Sequence, residues 1–164
     1  MRKVLTFWNL FGLAVFLLGA LVYWQSRSGP NAPALSLPSE EARKGQLALI
    51  LFRPNPPQGF LKETQTLELA PGEEPEGRAL KAWSEALAVP LPKALYRLEG
   101  RLVVDLPAEF AQGLDATEEI FRLYSLAYTL LATFPPAEEV RFLVEGEARV
   151  GLGHLDLRQP IRLP

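Results

Sequence analysis

"ALYRLEGRLVVDLP", residues 94–107, decides the fold. It reads as two short strands, about 93–99 and 101–106, joined at Glu99-Gly100, where glycine supplies the positive φ of a tight hairpin. A strand pair of this size cannot bury its apolar face alone, so the flanking segments must cover it.

On the N-terminal side, "EEPEGRALKAWSEALAVP" sets acids and Pro75 at a helix start and stops at Pro90. Leu80, Trp83 and Leu87 fall at i, i+3 and i+7, an apolar stripe that must face a sheet. On the C-terminal side, "LDATEEIFRLYSLAYTLLATFPP" places Asp115 three residues before Glu118, a capping arrangement. Ile120, Leu123, Tyr124, Ala127, Leu130, Leu131 and Phe134 then follow along one wide face, and Pro135-Pro136 ends the helix.

Further out, "QLALILFRP" (46–54) is expected to be a buried strand and "NPPQGF" a turn. "LKETQTLELA" (61–70) alternates Thr64, Thr66 and Glu68 against Gln65, Leu67 and Leu69 as a half-buried strand. "EVRFLVEG" (139–146) alternates as a last strand, and an irregular tail follows. The expected order is β-β-α-β-β-α-β, an α+β sandwich with two helices on one face of a small mixed sheet.

This domain, residues 46–164, is preceded by two different segments. From Val4 to Trp24 the chain carries no charge over 21 residues, enough to span roughly 31 Å as a helix, the thickness of a hydrocarbon core. Tyr23 and Trp24 close the run with residue types that settle at the lipid–water boundary. The run is too long for a signal-peptide core and lacks a prompt small-x-small cleavage site, so residues 1–25 are expected to form an uncleaved transmembrane anchor. Arg2 and Lys3 precede it and only Arg27 follows closely, which places the N-terminus in the cytoplasm and the domain outside. Residues 26–45, rich in Pro, Ser, Gly and charge, read as a linker.

From Gly29 onward, 14 basic residues face all 19 acidic ones, a net of −5. An acidic extracytoplasmic domain is a poor binder of nucleic acid. With no cysteine, neither a disulfide, a thiol nucleophile nor a lipid-modified cysteine is available, and the domain must hold itself by its core. Absent cysteine, many prolines and Arg/Glu usage suit a heat-adapted host.

The sequence offers little chemistry. No serine sits in a G-x-S-x-G elbow. A single histidine, His154, excludes His-rich zinc sets, and Gly151 and Gly153 open no phosphate-binding helix. Glu73, Glu74, Glu76, Glu118 and Glu119 fall at helix starts, where the helix dipole favours acids, and Glu138 and Glu139 lie beside a strand. Asp105, ending an apolar strand before Leu106-Pro107, is expected to cap the following turn, with a binding groove as its alternative. Trp83, Tyr96, Tyr124 and Tyr128 at helical and strand spacing read as core rather than as a ligand groove. "GLGHLDL" (151–157) reads as a structural closing turn, His154 bonding a nearby backbone group. No catalytic, cofactor-binding or metal-ligating residue is assigned. The alternative is a cell-wall-associated enzyme, with Asp105 and a glutamate as acid and base or His154 and Asp156 as a base pair, or a glycan- or solute-binding module using Asp105 or His154; single alanines at Asp105, Glu109, His154 and Asp156 separate these from a scaffold.

From Gln46 to Leu163 the chain resembles the GerMN domain family of sporulation and spore-germination proteins. The resemblance rests on "LALILFRPNPPQGFLKETQTLEL", "GRALKAWSEAL", "LEGRLVVDLPAEF", "EIFRLYSLAYTLLATFPPAEEVRFLVEG" and "LGHLDLRQPI". The family commonly has Gly-Pro where this chain has Val89-Pro90, and a Ser-type residue where Leu106-Pro107 follows the Val-Asp step. The resemblance implies a domain akin to the ring-building modules of envelope complexes, and a non-enzymatic role with envelope proteins or its own copies as partners. It carries no catalytic residue to this chain.

Overall fold

Alternating apolar side chains, two helix-start signals and a glycine hairpin organise the domain. The computed structural model describes residues 16–17 and 45–164. The expected anchor and linker lie outside them, apart from Phe16 and Leu17, which are helical and exposed, and Gly45, which sits in a turn. Among the described residues, no helix is long and apolar enough to cross a membrane.

Strands β1 (Gln46–Asn55) and β2 (Gly59–Glu68) form an antiparallel ribbon. The connecting turn needs only residues 56–58, so β2 begins two residues earlier than the sequence suggests and ends two earlier. Gly59, at φ +108°, makes the return in backbone geometry that a side chain disfavours. Only Leu49 and Leu51 of β1 are fully buried, each contributing roughly 1.5–3 kcal/mol of transfer free energy.

Helix α1 (Pro75–Leu87) starts with proline at its first position and ends on Ala88 in the left-handed conformation, φ 51°. Ala79, Leu80, Ala82 and Trp83 form its buried stripe. Strands β3 (Ala94–Leu98) and β4 (Arg101–Leu106) make the expected hairpin around Gly100, φ +67°. A 3-10 turn, Ala108–Ala111, buries Phe110, which stacks on Trp83 with ring centroids 6.1 Å apart. Helix α2 (Ala116–Thr133) opens on a complete capping box between Asp115 and Glu118, as its spacing predicts. Ile120, placed on its apolar face by periodicity, is 41% exposed.

Strand β5 (Glu139–Val144) joins β4 in parallel, completing a mixed sheet of order β3-β4-β5. The tail, expected to be irregular, adds a two-residue hairpin, β6 (Gly151–Leu152) with β7 (Leu155–Asp156), and Ile161 bridges Val140 on the edge of β5. The class is therefore α+β with two helices, but the strands are divided. β1 and β2 stand apart from the mixed sheet as a separate ribbon.

The free edge of β1 is met by a helix. The N–H groups of Ile50 and Phe52 donate to the hydroxyls of Thr133 (3.1 Å) and Thr129 (2.9 Å) on α2. The Ser125 hydroxyl donates to the Phe52 carbonyl and accepts from the Trp83 indole N–H at 3.0 Å. Ser125, Thr129 and Thr133 recur every four residues, so one helix face presents hydroxyls in register with a strand edge. Those bonds satisfy backbone groups that an unpaired strand would leave orphaned beside the core.

Candidate functional site

Asp105 lies at the C-terminal end of β4, beside Leu143 of β5. Its carboxylate accepts from the Gly146 N–H at 2.8 Å. The sequence suggests that it caps the turn that follows it; the parallel sheet instead brings it to the turn after the neighbouring strand, where Glu145 and Gly146 both have positive φ. Next to it, Glu145 binds the Lys93 ammonium (2.7 Å) and the Ala108 N–H (2.8 Å). The Lys93 hydrogen bond, then that of Ala108, holds the Glu145 carboxyl below its ordinary range. Lys93 is raised by the same bond, with smaller contributions from the charges of Glu145, Asp105 and Glu109. Glu109 is exposed on the 3-10 turn.

His154 and Asp156 are not partners. Asp156 accepts from the Arg158 guanidinium through both oxygens, Oδ2 at 2.6 Å and Oδ1 at 3.0 Å, and its carboxyl is lowered to about 2, chiefly by that contact. The His154 Nδ1 lies 3.0 Å from Glu119, whose side chain is 1% exposed. The same carboxylate accepts from the backbone N–H groups of His154 (2.8 Å) and Leu155 (3.2 Å). "GLGHLDL" therefore folds as β6, a turn and β7, pinned to the first turn of α2, and the atom doing the pinning belongs to a residue that sequence reasoning assigned to helix capping. One signal was present: Glu119 stands four residues before Leu123 and seven before Leu126, on the stripe that faces inward. Gly153 of this turn has φ +52°, and a Cβ there would overlap the Glu119 carboxylate.

Glu139 is a second focus that the sequence analysis read only as a strand-side acid. Arg101 (2.6 Å) and Arg162 (2.8 Å) bind its two oxygens and Arg141 approaches to 3.6 Å. The Arg162 and Arg101 hydrogen bonds lower its carboxyl to about 2. Of the aromatics, Trp83 is fully buried, Tyr124 and Tyr128 pack with Phe52, Phe60 and Phe121, and Tyr96 is 53% exposed on β3.

Two open grooves flank this frame. One, of about 460 Å³, lies between the end of β1, the C-terminus of α1 and the start of α2, with Pro54, Leu87, Leu114 and Phe121 among its walls. The other, of about 430 Å³, runs between the outer face of the mixed sheet and the tail. Among the described residues, no group of three or more His, Asp or Glu side chains is placed to hold a metal ion.

The described domain is thus α+β, with a β-hairpin ribbon, a mixed three-stranded sheet and two helices. Residues 53–150 match the family profile "Germane: Sporulation and spore germination", and the chain belongs to that family. Among solved structures, it is similar to the first GerMN domain of the sporulation protein GerM from Bacillus subtilis: 20% identity, TM-score 0.47, covering 71% of this chain and 92% of that one. The tandem GerMN domains of the same Bacillus subtilis protein align with 20% identity and TM-score 0.48, over 71% of this chain and 44% of theirs. Comparison with curated protein sequences finds no match.

Proposed function

We propose that this protein is a membrane-anchored member of the family whose domain stands outside the cytoplasm as a protein-interaction or assembly scaffold of the cell envelope, without enzymatic activity. One observation carries the reading. Each residue that the sequence offers for chemistry has a structural partner: Asp105 accepts from the Gly146 N–H, the His154 ring lies against the buried Glu119 carboxylate, and Asp156 binds Arg158. Accepting from a turn N–H or from a guanidinium is a structural use of a carboxylate. The uncharged run from Val4 to Trp24 supports an anchor with the N-terminus inside, and tethering raises the effective concentration of the domain near an envelope partner. The family description supports a link to sporulation or germination.

The test is to crosslink the tagged full-length protein in its own cells, purify it from membranes and identify what accompanies it. A stoichiometric envelope partner or a ladder of its own multimers is expected. A protein recovered alone and monomeric, and inactivated with its fold intact by any single alanine at Asp105, Glu109, His154 or Asp156, overturns the scaffold in favour of an enzyme.

A further inference from the structure

The outer face of the mixed sheet carries exposed apolar side chains beside a group of arginines. Strand register puts Tyr96 and Leu98 of β3, Arg101, Val103 and Asp105 of β4, and Glu139, Arg141 and Leu143 of β5 on this one face, its two carboxylates taken up by the Gly146 N–H and by arginines. Tyr96 is 53% exposed, Leu98 58%, and Val150 at the tail's edge 66%. The groove beside them is lined by Arg101, Arg141, Arg149 and Arg158 and by no carboxylate. Only Glu139 and Asp156 answer these arginines directly, and Arg162 also draws on Glu139. Glu145, which feels the Arg149 charge, is hydrogen-bonded by Lys93. Among the described residues Arg149 takes part in no ion pair. These arginines thus stand on a portion of the chain whose net charge is −5.

We infer that this face docks a segment of another protein in which carboxylates are interleaved with apolar side chains. The inference rests on the scaffold reading and names the chemistry of its partner. Guanidinium groups present planar forks that match carboxylates, and exposed apolar side chains beside them gain only when a partner removes them from water. A purely polar polyanion would leave Leu98 and Val150 wet. On a second copy, Glu73, Glu76 and Glu118 are already hydrogen-bonded, to the Ala70 N–H, Arg97 and the α2 cap, and the test separates a second copy from another protein. The arginines would steer the encounter by opposite charge, and the apolar side chains would hold the complex.

The test places photoreactive benzoyl-phenylalanine at Leu98 or Val150 of the full-length protein in its own cells, with Leu61 on β2, 50% exposed, as the control position. The expected result is an adduct from Leu98 and Val150, not from Leu61, whose mapped crosslink lies in an acid-rich segment of a different protein. Arg141→Glu with Arg149→Glu should reduce that adduct at least about tenfold, while Arg141→Lys with Arg149→Lys keeps most of it. Thermal melting of both purified double variants verifies their folding. If the glutamate pair fails to fold, Arg149→Glu alone, at an exposed residue without an ion-pair partner, is read in its place. Adducts to a second copy, to a lipid or glycan, or to an acid-free segment overturn the inference, as does an adduct unaffected by charge reversal. An envelope protein captured only from Leu61 overturns this surface and leaves the scaffold standing; no adduct from any of the three positions counts against both.

Discussion

The Glu119 carboxylate, buried in the first turn of α2, accepts from the His154 and Leu155 N–H groups at 2.8 and 3.2 Å, and so anchors the β6–β7 turn to a helix 35 residues earlier in the chain. The bonds run to backbone, and the His154 side chain is 54% exposed. Glu119→Ala should therefore destabilise the protein by about 2 kcal/mol or more, because two donors lose their acceptor. His154→Ala keeps both backbone bonds and should cost under about 1 kcal/mol. Urea denaturation of the two variants checks the order; equal losses would show that the imidazole, not the backbone, carries the anchor.

Gly153→Ala attacks the same contact from the other side. The new methyl group meets a carboxylate fixed by its hydrogen bonds, at a φ of +52° that L-residues disfavour. A loss of about 1–3 kcal/mol is expected. In the Glu119→Ala background the penalty should shrink, since the obstacle is gone, and a double-mutant cycle measures that coupling.

The hydroxyl stripe of α2 predicts a local signature. Thr129→Val keeps the shape but removes the acceptor of the Phe52 N–H, costing about 1–2 kcal/mol. Hydrogen exchange should speed up at Phe52 more than at Leu51, whose side chain is buried and whose N–H turns toward β2. Uniform acceleration along β1 would mean that the hydroxyl contributes only to global stability.

Glu139 predicts acid behaviour. Its carboxyl is lowered to about 2 from 4.5 by Arg162 and Arg101. A group depressed in the folded state adds stability that is fully present above about pH 4.5 and is lost as pH falls through its folded value near 2. Asp156, held near 2 by Arg158, acts in the same direction from an ordinary value of 3.8. Glu139→Gln should thus lower stability by a constant amount above pH 5, and the gap to wild type should close between about pH 4.5 and 2. A gap that persists to pH 2 would assign the loss to packing.

Local rules made much of the fold legible. The Glu99-Gly100 hairpin, the Asp115–Glu118 capping box, the proline start of α1 and the stripe of Leu80 and Trp83 all depend on neighbours within a few residues, so spacing and side-chain type suffice to read them. The alternation in β2 is legible for the same reason, while its ends shifted by two residues because a turn of three residues is shorter than its composition suggests. Ile120 was misplaced because periodicity gives a helix face its direction but not the width of the surface that covers it.

The candidate site depended on distances in sequence that no spacing rule spans. Asp105 meets Gly146 because β4 and β5 pair in parallel, and a parallel pairing aligns the ends of strands separated by a whole helix. Glu119 meets His154, Glu139 meets Arg101 and Arg162, and Thr129 meets Phe52 for the same kind of reason. The sequence by itself determined the main helices and strands from β1 to β5, and that one uncharged run precedes an acidic domain, since those follow from local propensity, period and composition. Tertiary structure decided which carboxylates hold turns, which arginines share one acid, and that arginines and exposed apolar side chains share one sheet face, because these are set by which elements pack together and in what register.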